Sequence, residues 1–137
     1  MNAPSKDIIE MLEAYGDSSG FTPDLTLGTN LFQNQEPSSP AICVTVYDTS
    51  GMPDYLGLDT VGYEYPSIQV RVRHTKQSTG WALISAIKDA LHGRNHETWN
   101  GTLYTVIYCT SGPALLDWDD NGRVHFVCNF NLQRRPA

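Results

Sequence analysis

YEYPSIQVRVRHT, residues 63–75, is the stretch that decides the fold. Pro66 opens a run that then alternates, with Ile68, Val70 and Val72 on one side of an extended chain and Gln69, Arg71 and Arg73 on the other. A period of two is the pattern of a half-buried strand. Proline is tolerated at a strand's first residue, where its missing N–H does least harm. Ser78-Thr79-Gly80 breaks the strand. WALISAIKDALHG, residues 81–93, then reads as an amphipathic helix, with Thr79 as its cap and Gly93 just past its end. Trp81, Ile84, Ile87 and Leu91 mark its buried face. No side chain in this passage is placed for chemistry; these are the features of a scaffold.

Working outward, residues 5–15 predict a first helix. Ile8, Met11, Leu12 and Tyr15 form its apolar stripe, Ser5 is a candidate N-cap, and Asp7 lies in the first turn where the helix dipole favours it. Gly16 or Gly20 supplies the stop. Residues 25–33 read as a short strand broken by Gly28, Pro37-Ser38-Ser39-Pro40 as a loop, and residues 41–47 as a β-rich strand. Residues 48–62 read as a long loop or loose hairpin. Residues 102–110 and 123–133 are the last two strands, with Asn121-Gly122 as turn signal in a longer connection. The order is α-β-β-β-α-β-β. It predicts an α+β fold, one domain over residues 1–137, with a mostly antiparallel or mixed sheet packed by two helices. Ile68, Val70 and Val72 are expected to pack under Ile84, Ile87 and Leu91.

A chain of 137 residues suits one domain and buries a sizeable core without disulfide or metal. Its charged fraction, 18%, is low, which leaves many uncharged polar residues, glycines and prolines for strands and loops. The net charge of −6 does not by itself attract nucleic acid or an anionic membrane. Cys43, Cys109 and Cys128 all fall in expected strands, which predicts buried free thiols in a reducing compartment. The first residues lack the basic start and continuous apolar run of a signal peptide, and no segment is apolar enough to span a bilayer. The expectation is a soluble cytoplasmic protein.

Candidate chemistry is sparse. His92 and His96 have helical metal-ligand spacing, but Gly93 and Asn95 end the helix there, and no Glu stands beside a His as in zinc proteases. No metal or cofactor is expected. Cys128 shares a strand face with Val124, Phe126 and Phe130, and Cys109 alternates with Leu103 and Ile107; both read as core thiols rather than nucleophiles. Asp117, Asp119 and Asp120 are the densest charge in the chain but lack the ligand spacing of a calcium loop, so they read as a solvated hairpin tip. Arg71, Arg73 and Arg123 pool if their strands are neighbours, and are then expected to pair with local carboxylates. A hydrolase or nuclease built on His74, His92 and the acids at 117–120 requires those groups to converge in one pocket.

The strand at 63–75, the helix at 81–93 and the terminal SGPALLDWDDNGRVHFVCNFNLQRR together resemble the small tail terminator proteins of long-tailed bacteriophages, also described as minor capsid or tail completion proteins. The likeness covers residues 5–135. It is carried most by the aromatic-Pro-x-Ile-Gln-Val-x-Val-Arg strand, the Asp-x-Asn-Gly-Arg hairpin and the closing Asn-Phe-x-Leu. It implies a non-enzymatic assembly protein: a ring, typically a homo-hexamer, at the head-proximal end of the tail tube. Such a ring stops tube polymerisation and docks the head connector, and DNA passes through its lumen without specific binding. The implied partners are further copies of the chain, the tail tube protein and the head connector protein, with no membrane. The implied location is the host cytoplasm during assembly and then the head–tail junction of the virion. A monomeric connector adaptor is the alternative.

Two stretches are candidate assembly interfaces. Residues 48–62 hold Met52, Tyr55, Leu56 and Leu58, apolar groups that an isolated loop leaves in water. The expectation is that this loop orders against a neighbour or the tail tube, with Tyr55 and Leu56 as anchors and Leu58 beside them. The second is the tip of Asp117, Trp118, Asp119 and Asp120. Trp118 either folds back on its own sheet or meets a partner, in which case the acids set orientation and encounter rate more than affinity.

Overall fold

Val70 lies at the centre of the molecule, opposite Val46 on one neighbouring strand and Cys128 on the other. The computed structural model describes residues 1–19, 21, 24–53 and 62–137. Helix α1 spans Pro4–Ser19 and α2 spans Gln77–Leu91; the strands are β1 (Leu31–Gln33), β2 (Cys43–Met52), β3 (Tyr65–His74), β4 (Glu97–Trp99), β5 (Thr102–Trp118) and β6 (Val124–Pro136). They form one six-stranded sheet in the order β1-β2-β3-β6-β5-β4. Only the β1–β2 pair is parallel, so the sheet is mixed. Helix α1 packs on β1, β2 and β3, and α2 on β3, β6 and β5. The fold is α+β.

The alternation at residues 68–72 does what its period requires. Ile68, Val70 and Val72 are fully buried and share one core with Ile84, Ile87 and Leu91. Strand β6 repeats the pattern, burying Val124, Phe126, Cys128, Phe130 and Leu132. From α1 come Ile8, Ile9, Met11 and Leu12. A polar knot ties the start of α1 to the far side of the sheet: the hydroxyl of buried Tyr104 donates to Asp7, and Arg134 bonds Glu64 at 2.9–3.0 Å and the Asn2 carbonyl at 2.8 Å. Burial, and then the bond to Asp7, push the Tyr104 phenol up.

Several expectations are corrected. Helix α1 begins at Pro4, a favoured first helical position. Ser5 therefore lies inside the first turn and is not the cap. Gly16 does not stop the helix, which runs to Ser19; Gly20 lies outside the described residues. Residues 25–30 are not strand: the N–H groups of Thr29 and Asn30 close a turn on the Thr26 carbonyl, and apart from an isolated bridge at Leu27 the pairing is confined to Leu31–Gln33. Strand β2 continues past Tyr47 to Met52, because Asp48, Thr49 and Met52 still pair with β3.

Helix α2 starts at Gln77 after Lys76, so Thr79 is not its cap. Its buried stripe runs Gly80, Ile84, Ile87, Leu91, and Trp81 is 45% exposed. Glycine at 80 lets the helix press directly onto Phe126 and His74, which leaves Trp81 beside the stripe with its ring edge-on to Phe126 at 5.7 Å. A further strand, β4, gives the order αβββαβββ. It joins β5 through Asn100-Gly101, whose φ values of 52° and 75° fit the two-residue hairpin turn that Asn-Gly favours. Strand β5 extends well beyond residue 110, to Trp118. A bulge between Tyr104 and Val106 also shifts its inward residues from Tyr104 to Ile107, so Leu103 is only half buried; Cys109 stays on the Ile107 side and packs, half buried, against the core.

Candidate functional site: an unpaired strand edge

Strand β5 is longer than the core needs. Its first half is covered on the outer side. Strand β4 pairs with Thr102, Leu103 and Tyr104, Ile107 exchanges backbone bonds with Gly93 and Arg94 at 2.8–2.9 Å, and the Cys109 N–H donates to His92 Nδ1 at 2.9 Å. From residue 110 to 118, no strand lies on that side among the described residues. Pro113 falls within this segment, and a proline in a strand belongs at an edge. Register shifts after Cys109, Ser111 and Leu115 bend the arm. Leu115 and Trp118 are each half exposed, and Leu116 is 43% exposed. An edge with free backbone groups and apolar side chains is a template for a further strand.

The arm ends in a closed turn. The Asp119 N–H donates to the Arg123 carbonyl at 2.9 Å, and the Asp119 carboxylate accepts from the N–H groups of Asn121 (2.9 Å) and Arg123 (3.0 Å) and from Arg123 Nε (2.8 Å). His125 Nε2 lies 3.2 Å away. Led by the Arg123 backbone N–H, these bonds hold the Asp119 carboxyl well below the usual carboxylate range. Asp119 is thus committed to its own turn, whereas Asp117, Trp118 and Asp120 stand exposed around it. Tyr55, Leu56 and Leu58, the other expected anchors, lie outside the described residues. Leu115 and Leu116 escaped the sequence reading. The signal for both was the unbroken ALLDW run at 114–118, too apolar for a plain loop.

The sheet face away from the helices is paved with amides and hydroxyls. Gln69 Nε2 donates to Asn129 Oδ1 at 3.0 Å, Asn129 Nδ2 to Ser111 Oγ at 2.8 Å, and Asn131 Nδ2 to Tyr108 Oη at 3.4 Å. Arg71 bonds Gln69 and lies over the Tyr47 ring at 5.2 Å. Arg73 is buried, donating to the Pro40 and Ala41 carbonyls with Glu36 at 3.8 Å. Arg123 reaches Asp119 and the Ser38 carbonyl. The three arginines are each bound to local partners instead of forming a phosphate site.

The groups that a catalytic reading needs lie apart. His92 contacts the β5 edge at Cys109. His74 accepts from the Lys76 N–H and lines an apolar cavity of about 230 Å³, with Phe21, Leu25, Ile42 and Leu83 among its walls and no carboxylate among the described residues that line it. The acids of the tip contact Arg123 and His125 instead. Among the described residues, no three His, Cys, Asp or Glu side chains gather as a metal-binding group, and no helix is long and apolar enough to cross a membrane.

A family model described as bacteriophage tail terminator protein matches residues 18–135, most of the chain and all six strands. The chain belongs to the bacteriophage tail terminator family. This is a structural protein family, so the chain has a role in phage tail assembly and is a component of the virion. No curated protein matches the chain. The match includes the whole β5–β6 arm, the amide-paved face and α2. The unpaired edge thus lies within the matched residues.

Proposed function

We propose that the protein forms a homo-hexameric ring that caps the phage tail tube, ends tube polymerisation and offers the surface to which the head connector docks. The observation that carries this reading is the unpaired outer edge of residues 110–118, with Leu115, Leu116 and Trp118 exposed along it. A second edge opens on the opposite side of the sheet: β1 pairs with β2 only from Val44 to Val46, which leaves the β2 end near Met52 without a strand beside it among the described residues. Two different free edges on opposite flanks supply the two unlike patches of a head-to-tail interface, which closes into a ring where the rotation between subunits permits. The occupant of each edge is another copy of this chain. The amide-paved face supports a lumen wall along which DNA passes without being held, because it presents mainly neutral amides and hydroxyls and its Arg71 is engaged by Gln69 and the Tyr47 ring. Residues 54–61, with Tyr55, Leu56 and Leu58, contact the tail tube protein in this scheme, and Asp117, Trp118 and Asp120 stand toward the next subunit or the connector. No catalytic role enters the scheme.

The test is size-exclusion chromatography with light scattering on the purified protein, alone and mixed with polymerising tail tube protein, followed by electron microscopy. Ring-sized particles, or tubes of limited length carrying a ring at one end, are the expected result. A protein that stays monomeric and leaves tube length unchanged overturns the proposal.

A further inference from the structure

We propose that Cys109 and Cys128 form a reversible cross-strand disulfide, closed by a small-molecule disulfide such as oxidised glutathione. Their sulfurs lie 3.3 Å apart. The approach follows from the strand register. Cys109 is opposite Phe130, and the next aligned pair is Ser111 with Asn129, so Thr110 is an inserted bulge residue. In a regular ladder, diagonal neighbours are held about 7–8 Å apart at their Cα atoms, too far for a comfortable bridge. The bulge turns Cys109 toward Cys128. Phe130 and Cys128 face the core, and Cys109, on the same side, packs against it.

The two thiols have unequal access. Cys109 is half exposed and also lies 3.6 Å from the carbonyl oxygens of Ser111 and Gly112, whereas Cys128 is sealed in the core. Burial pushes the Cys128 thiol up to about 12, so the first attack belongs to Cys109. The Cys109 thiolate attacks one sulfur of the reagent, and the departing thiolate takes up the proton that Cys109 gave. Cys128 sulfur then attacks the Cys109 sulfur of the mixed disulfide and expels the second reagent thiolate, which takes the Cys128 proton. Two protein thiols are oxidised, one reagent disulfide is reduced to two thiols, and atoms and electrons balance. The bond closes a loop that contains Leu115, Leu116, Trp118 and the whole tip, and so anchors the exposed arm to the core. Cys43 serves as an internal control: it is buried on the opposite face of the sheet, across from Arg73.

The folded protein is incubated with oxidised glutathione, alkylated under denaturing conditions and digested with trypsin. The expected product joins peptides 95–123 and 124–134 with no glutathione attached, while Cys43 is alkylated. The Tm rises by roughly 5 °C or more and returns on reduction. In Cys128→Ser, glutathione remains on Cys109; in Cys109→Ser, neither a cross-link nor an adduct on Cys128 forms. A wild-type protein that keeps glutathione on Cys109, that stays fully reduced, or that cross-links through Cys43 overturns the proposal.

Discussion

The carboxylate of Asp48, on β2, accepts two hydrogen bonds from Ser5 in the first turn of α1, from the backbone N–H at 2.9 Å and the hydroxyl at 2.7 Å. The helix is capped from a strand instead of from its own preceding residue. Asn34 holds the cap in place, donating to Asp48 Oδ2 at 2.7 Å and accepting from the Asp48 N–H at 2.8 Å. Asp48→Ala is expected to cost about 1–2 kcal/mol, the usual loss for a helix cap. Urea denaturation reads this as a lower midpoint at unchanged slope. An unchanged midpoint means that water replaces the carboxylate without loss.

Val70→Ala is expected to cost about 1–3 kcal/mol, from lost transfer free energy and the cavity left behind. Val70 is fully buried between Val46 and Cys128, where neither neighbouring strand can close the gap. A change of only a few tenths in chemical denaturation places the inward face wrongly.

Gly80→Ala runs against helix propensity. In an open helix the change is worth up to about 1 kcal/mol of stabilisation. Here the new Cβ meets Phe126 Cε2 at 2.8 Å and His74 Cβ at 2.9 Å. A loss of about 1–3 kcal/mol is expected from overpacking, read by thermal or chemical unfolding. A gain in stability shows that α2 lifts off the sheet easily.

Trp118→Ala separates assembly from folding. The residue is half exposed, so stability is expected to stay within about 0.5 kcal/mol of wild type. Ring formation, or joining of tails to heads, is expected to fail. A buried tryptophan costs about 3–5 kcal/mol when truncated. A loss of that size moves Trp118 into the fold, and unchanged assembly removes it from the interface.

Acid unfolding carries the signature of Asp119. Its carboxyl titrates below its unfolded value, led by the Arg123 N–H bond, so folding favours the ionised form. Its contribution is complete above about pH 4 and fades as pH falls through the folded value. Asp119→Asn is expected to remove this part of the acid limb, below about pH 5. An NMR titration showing Asp119 at an ordinary carboxylate value ends the argument.

The strands that bury one face were legible because period two leaves no other way to hide Ile68, Val70, Val72, Phe126 and Phe130 together. What escaped was set by partners distant in sequence. The length of β5 was hidden by Gly112 and Pro113, which punctuate a chain that β6 nevertheless keeps extended. Strand β4 was missed although Asn100-Gly101 is the turn pair that hairpins favour; three residues are too few to show a period. Ser5 was mistaken for a cap because Asp48, forty-three positions away, is invisible to local rules. Trp81 was placed inside because the pattern could not show that Gly80 brings the helix down onto Phe126. Of the proposed interface, the acidic tip could be read from its composition, while the free edge beside it required the sheet order.

That order has a consequence for how the molecule comes into being. Strand β6, latest in the chain, lies in the middle of the sheet between β3 and β5. Its partners on β3 come fifty or more residues earlier, as in Val70 with Cys128. While a ribosome is still making residues 124–136, β3 has a bare flank, β5 has almost nothing to pair with, and α2 covers a core missing Phe126 and Phe130. Contacts of such sequence separation form late and slowly. A chain without residues 124–136 therefore lacks the strand that holds β5 extended, so the arm that carries Leu115, Leu116 and Trp118 takes shape only when the last strand is in place.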